Sequence, residues 1–434
     1  MIQRKWSVIV LMTLFSMWAQ AQRVLTLDDV FTLAAEHNMT IAVAERNLSE
    51  QSEAVKVAQA DRLPDIGASA TVGYLGNGLI TDRDFSHSFT AHIPHFGTSF
   101  AIEARQLIYS GGAVSGAIKA AELGQELAQW QLQQRTQEVR FLLTGYYLDL
   151  YRLLCEERVI DNSIELANRL IDHITLRQAE GTALRNDITR YELRKQDLLL
   201  RKEQVRNSRS IVNRQLNTAL GLPPAEVILP DTTAISPAQA FLTEEMWQQK
   251  ALLGAPVMHV AQTQVDLAAE QLHISKAYRK PHFALFAQEA LNGPVTIDIP
   301  AMNKNFNFWQ VGVGVSYDVS SLFKANRRIR KHALAVDKAR TEQQLAAQQL
   351  GNSVQQAYVL LGQAHTEMAT CEKSLQLATQ NYDVVRKRYI NDLALLTDML
   401  DADQQRLTAD IDVVKARIAM AYRYYTLLYI CGEI

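Results

Sequence analysis

The chain has 434 residues, 48% of them hydrophobic and 21% charged, and a formal net charge of −2. That length supplies a sizeable core, and the charge balance excludes a nucleic-acid binder, which carries a clear basic excess. Three cysteines, Cys155, Cys371 and Cys431, are too few and too odd in number for a disulfide framework, and their spacing fits no metal motif.

The first segment, "MIQRKWSVIVLMTLFSMWAQA" (1–21), reads as a secretory leader. Arg4 and Lys5 precede an apolar run from Val8 to Trp18, and Ala19 and Ala21 form an A-x-A cleavage site. The mature chain is therefore expected to start at Gln22. No other stretch reaches the ~18 apolar residues of a membrane helix.

A helical pattern over about 28–60 stops before Pro64. Strand patterns follow at about 65–76 and 97–110, then a very long helix at about 113–178 and another at about 184–219. After "GLPPAEVILPDTTAISPAQA" (221–240), rich in Pro and poor in periodicity, the order recurs. Helices are expected at about 243–280, 326–390 and 394–430, with strands at about 282–291 and 307–319. Shifted by 217, Arg62 and Pro64 meet Arg279 and Pro281; shifted by 211, Arg177, Leu184 and Asp187 meet Arg388, Leu395 and Asp398. These offsets predict a tandem duplication: a first repeat over 22–220, a linker over 221–240 and a second repeat over 241–434.

Leu350, Val354, Ala357, Leu361, Ala364, Met368, Cys371, Leu375, Ala378, Tyr382, Val385 and Tyr389 alternate spacings of four and three. That is a sustained coiled-coil seam, with Cys371 inside it as a small buried hydrophobe. Leu407, Ile411, Val414, Ile418, Ala421, Tyr425 and Leu428 continue the pattern. In the first half the seam is expected to hold Leu184, Ile188, Tyr191, Leu198, Val205, Val212 and Ala219, with Lys195, Lys202 and Arg209 as a solvated basic line. The 113–178 helix would run roughly 100 Å at 1.5 Å per residue. The two shorter helices of its half sum to nearly that length, so they are expected to pack end to end along it.

Trp309, Val311, Val313, Val315 and Tyr317 alternate with Gln310, Gly312, Gly314 and Ser316. Such strands, apolar on one face with aromatic ends, are the signature of outer-membrane barrels. In lipid every backbone donor and acceptor must be paired, so an open sheet is forbidden. Closure needs about eight strands. One chain offers four, so two or more copies must share a barrel; the residues do not fix the number. The polar segments 77–96 and 292–306 read as external loops. Their histidines His87, His92 and His95 have no ligand register. The basic run Arg327, Arg328, Arg330 and Lys331 after the last strand reads as interfacial, with long side chains reaching lipid headgroups.

In "TDMLDADQQRL" (397–407), Asp398 and Asp401 lie three apart, on one face of a helix start. Acids there offset the helix macrodipole. With the duplication and the "LRQAEGTALRNDI" turn, this stretch resembles the TolC family of outer-membrane efflux and secretion channels, over almost the whole mature chain. The resemblance implies a mixed α and β fold: a homotrimer sharing one 12-stranded outer-membrane β-barrel, four strands per chain, continued by a long periplasmic α-helical coiled-coil barrel. It implies a periplasmic membrane-fusion (adaptor) protein and an inner-membrane pump of RND or ABC type as partners, beside outer-membrane lipid. By the same resemblance Asp398 and Asp401 line the periplasmic aperture, and Tyr389 contacts Asp187 to hold it closed. The family has Arg where this chain has Ala394, which shifts closure toward packing. Asn391 and Asp392 stand where the first-half turn has Gly181.

No GxxxxGK[ST], HExxH or GxSxG motif is present, so no catalytic, cofactor or metal residues are assigned and no enzyme is expected. The expected function is a passive exit duct of a tripartite efflux or type I secretion system. The alternative is a soluble periplasmic coiled-coil adaptor or scaffold, which needs no alternating strands. Drug, metal ion and protein cargo all stay open.

Overall fold

The computed structural model describes residues 22–231, 242–297 and 300–434. The leader reading at 1–21 and most of the linker's second half lie outside them. Eight helices are found among the described residues: α1 Leu27–His37, α2 Met39–Ala60, α3 Ala113–Ala179, α4 Arg185–Leu220, α5 Glu244–Gly254, α6 Pro256–Ala277, α7 Ser321–Ile390 and α8 Leu396–Cys431. The strands are β1 Gln22–Leu25, β2 Asp65–Tyr74, β3 Gly78–Thr81, β4 Ser88–Ala91, β5 Phe96–Tyr109, β6 Val227–Pro230, β7 His282–Gly293 and β8 Phe306–Ser316. Element lengths match between the halves: α1 and α5 have 11 residues each, α2 and α6 have 22, and α4 and α8 have 36.

Two single helical patterns split in two. The Asn38 side chain ends one helix and starts the next: its Oδ1 accepts from Thr40 N at 2.9 Å, and its Nδ2 donates to Ala219 O at 3.0 Å. At the matching point Pro256 opens α6, where a missing N–H costs no hydrogen bond. Within the expected linker, β6 pairs in parallel with β1. Four residues carry too little periodicity to announce a strand whose partner is distant in sequence. The β3–β4 hairpin inside the expected loop 77–96 was silent for the same reason. His87 and His95 take separate partners there: His87 Nδ1 lies 3.3 Å from Asp82, and His95 Nδ1 lies 2.8 Å from Leu75 O.

The chain packs as two compact units, each drawing on both halves. The first comprises residues up to Arg46, Trp130–His259 and Leu345–Ile434; the second comprises Asn47–Gln129 and Val260–Gln344.

The second unit holds an antiparallel sheet in the order β2-β5-β7-β8. Direct register partners share a face, so Val72, Ala68, Ile102, Phe100, Leu285, Ala287, Val311 and Val313 lie on one side. That side is mostly apolar and open, with Ile66 71% exposed, Trp309 74% and Val311 70%, and Glu289 accepts from Asn307 on it at 3.3 Å. The other side is polar and hydrogen-bonded across strands. Gln310 donates to Gln288 at 2.7 Å, Gln288 to Glu103 at 3.2 Å, and Ser99 to Asn292 at 2.7 Å. Gly312 lies opposite Phe286, where a Cβ would meet the ring at 2.8 Å.

In the first unit the expected α7 seam is buried at Leu350, Val354, Ala357, Leu361, Ala364, Met368, Tyr382 and Tyr389. Cys371 packs against Met368, Val413 and Ala416, and burial pushes its thiol up. The basic line on α4 is not merely solvated. Lys202 pairs with Asp161 at 2.5 Å, and Arg209 and Arg206 both hold the buried Glu157, at 2.5 and 2.8 Å. A buried acid on the facing long helix draws these cations inward, which spacing along α4 alone does not reveal.

Tyr147 locks the β1–β6 ribbon to α3. It is 1% exposed, and its hydroxyl donates to Leu25 O at 3.0 Å and to Asp231 O at 3.2 Å. Burial pushes this phenol up to about 12. Tyr147→Phe removes the donor from two carbonyls and is expected to cost about 1–2 kcal/mol, read as a lowered denaturant midpoint with unchanged slope.

Candidate functional site

The four residues singled out in the sequence gather where α3, α4, α7 and α8 meet. Ile174, Tyr191, Tyr382, Tyr389, Leu396, Met399 and Ala402 form one buried cluster there. Matching turns link the helices. The first leaves α3 through Gly181 at φ 78°, with Thr182 N donating to Arg177 O at 2.9 Å. The second leaves α7 through Asp392 at φ 59°, with Leu393 N donating to Arg388 O at 2.8 Å. A left-handed conformation is free for glycine and costs roughly 1 kcal/mol elsewhere. Arg177 offsets that cost: its guanidinium pairs with the Asp392 carboxylate, donates to Tyr389 O at 3.4 Å and sits 5.8 Å from the Tyr389 ring centroid. Ala394 packs against the cluster, and Arg177 ties the two turns from the other half.

Asp187 and Asp398 perform one local task. Each sits at the third position of its helix and accepts the backbone N–H of the N-cap residue, Leu184 at 3.2 Å and Leu395 at 3.0 Å. These bonds satisfy orphan donors at helix starts. Asp401 accepts from Gln405 Nε2 at 2.7 Å. Asp398 and Asp401 are both exposed, while Met399 and Ala402 on the opposite face are buried. Tyr389 is 6% exposed. Burial first, and then the nearby Asp187 carboxylate, raise its phenol above the ordinary range. A carboxylate oxygen of Asp187 serves the helix cap.

A polar layer lies among the apolar ones. Arg194 Nε reaches Asp403 Oδ2 at 3.3 Å, with the two side chains 13% and 12% exposed. Arg406 lies 4.8 Å from the Tyr382 ring centroid. The Tyr191 hydroxyl, fully buried, has no hydrogen-bond partner among the described residues. Burial pushes the Asp403 carboxyl up, against the opposing pull of Arg194.

With this geometry in place, the comparisons identify the architecture. Residues 247–433 match the family model for outer membrane efflux proteins. That stretch is similar to outer membrane efflux proteins. It carries β7, β8, α7 and α8, and so Tyr389, Asp398 and Asp401. Across the whole chain the fold resembles VceC of Vibrio cholerae, at TM-score 0.75 and 14% identity over 94% of this chain and 96% of that one. CmeC of Campylobacter jejuni gives 0.74 and 13%, covering 94% and 85%. The open state of MtrE of Neisseria gonorrhoeae gives 0.67 and 14%, covering 94% and 88%. No curated sequence matches the chain. At these identities the likeness establishes the fold: mixed α and β, TolC-like.

Within the matched stretch the sequence reading missed Asp403, although it lies in "TDMLDADQQRL". Five residues past Asp398, it faces inward. Its signal was available, since it stands four residues before Leu407, a seam position. Its partner is Arg194, the neighbour of Lys195 in the basic line.

Because Asp403 titrates above its unfolded value of 3.8, the folded state binds that proton more tightly than the unfolded chain does. The resulting stability is complete below 3.8 and is lost as pH rises through the native value. The wild type's advantage over Asp403→Asn, measured as a Tm difference in detergent, should therefore shrink with rising pH in the acid range. A gap that widens contradicts the assignment.

Proposed function

We propose that the protein is the outer-membrane exit duct of an efflux system: a passive pore, opened at its periplasmic end by an adaptor and an inner-membrane pump. The observation that carries this reading is the β2-β5-β7-β8 sheet, apolar and open on one face and polar on the other. That is the wrong way round for a sheet covering a soluble core, and it fits a wall between lipid and a water-filled lumen. A soluble scaffold would expose this apolar face to water, so the duct is preferred. The similarity to outer membrane efflux proteins supports the same reading.

Four strands cannot close a lumen, so several copies share one; the resemblance to the TolC family makes that working form a homotrimer with twelve strands. The periplasmic aperture is assigned to Asp398, Asp401, Asp187 and Tyr389. In a trimer the exposed Asp398 and Asp401 make a ring of carboxylates, which favours cations and rejects anions. Their mutual repulsion is least when the helices splay. The cluster around Tyr389 and the Arg177–Asp392 tie oppose that splaying.

Asp398→Asn with Asp401→Asn should lower cation selectivity and raise anion conductance in planar bilayers. Asp401→Asn alone should do so with less loss of stability, because Asp398 also caps its helix. Unchanged ion selectivity in both variants would remove these acids from the aperture.

A further inference from the structure

A cluster of positive charge lies at one end of the sheet. His282 at the start of β7 pairs with Ser316 at the end of β8. The segment just before β7, Lys276–Lys280, and the segment just after β8, Lys324–Lys331, are therefore brought to the same sheet end. Together they carry Lys276, Arg279, Lys280, Lys324, Arg327, Arg328, Arg330 and Lys331, with no acidic residue between their limits.

These cations are unneutralised and exposed. Among the described residues none of them lies within ion-pair distance of a carboxylate. The two segments are instead fastened by other means. Arg328 Cζ sits 5.0 Å from the Tyr278 ring centroid, and the Arg279 guanidinium donates to the Asn326 side-chain oxygen. Eight like charges held together this way repel one another, and an anion must offset them. Apolar side chains stand in the open between the end of β8 and Lys324: Phe323 is 78% exposed, Val319 60% and Leu322 49%. A surface that presents guanidinium and ammonium groups beside bare aliphatic and aromatic ones matches a lipid, with an anionic headgroup above acyl chains. A soluble phosphate would use the cations alone.

We infer that this collar is a binding surface for anionic phospholipids of the periplasmic leaflet, with their phosphates on Arg327, Arg328, Arg330 and Lys331 and their upper acyl chains on Val319, Leu322 and Phe323. The inference rests on the outer-membrane reading above. It adds a lipid class: phosphatidylglycerol-type headgroups over zwitterionic ones. Phosphatidylglycerol bound there also holds β8 and α7 to the membrane surface.

The test is native mass spectrometry of the purified protein equilibrated with equal amounts of phosphatidylglycerol and phosphatidylcholine. Wild type should retain phosphatidylglycerol about tenfold over phosphatidylcholine, and the fourfold variant R327Q/R328Q/R330Q/K331Q should lose most of that preference. The charge-conserving R327K/R328K/R330K should keep it, which separates lost charge from lost folding. Excess inorganic phosphate should not displace the lipid. Equal retention of the two lipids by wild type, unchanged preference in the glutamine variant, or displacement by phosphate overturns the inference. Failure of the wild type to enter phosphatidylcholine or mixed bilayers at all overturns the outer-membrane reading itself. Insertion without lipid preference overturns only the collar.

Discussion

The structure turns on the backbone hydrogen bonds at two strand edges. In the β2-β5-β7-β8 sheet, β5 and β7 are paired on both sides, while β2 and β8 each keep one row of donors and acceptors without a partner strand among the described residues. In water such edges are merely a risk of aggregation. In hydrocarbon each unpaired group costs several kcal/mol. An apolar face that seeks lipid and edges that cannot tolerate it are compatible only if the edges meet those of other copies. The proposed shared barrel, with the Gln310–Gln288–Glu103 ladder on its inner face, answers that one requirement.

The proposed aperture obeys a different constraint: it must hold together and also come apart. Packing around Tyr389 and Met399 and the Arg177–Asp392 tie favour closure, while exposed carboxylates on one helix face favour separation. Asp398 serves both sides of this balance, since one oxygen caps its helix while its charge faces solvent. The acids were placed in the sequence as candidates for either a helix cap or an aperture ring. The geometry shows the cap directly, and the two roles are compatible because capping leaves the negative charge in place.

Much of this was legible in advance, where the signal is periodic. The four sheet strands and the long helices emerged within a few residues of their observed limits, because alternation over about ten residues or heptads over about forty leave little ambiguity. Elements of four residues, β1, β6, β3 and β4, carry no such signal and were invisible. The breaks at Asn38 and Pro256 were passed over because the apolar stripe continues through them, although the capping residues were present to mark them. The buried Arg194–Asp403 pair was hidden for a third reason. A seam read as hydrophobic discounts charged residues, and only facing helices show which of two neighbouring cations turns inward.

Disulfide trapping of the edges tests the central claim most directly. Single cysteines are placed along β2 and along β8, in a chain whose Cys155, Cys371 and Cys431 are replaced by serine, and the membrane-inserted protein is oxidised. The account predicts β2-to-β8 links between different copies, giving a ladder that ends at three chains. A protein that stays a single chain in lipid and forms no intermolecular link at either edge would contradict it.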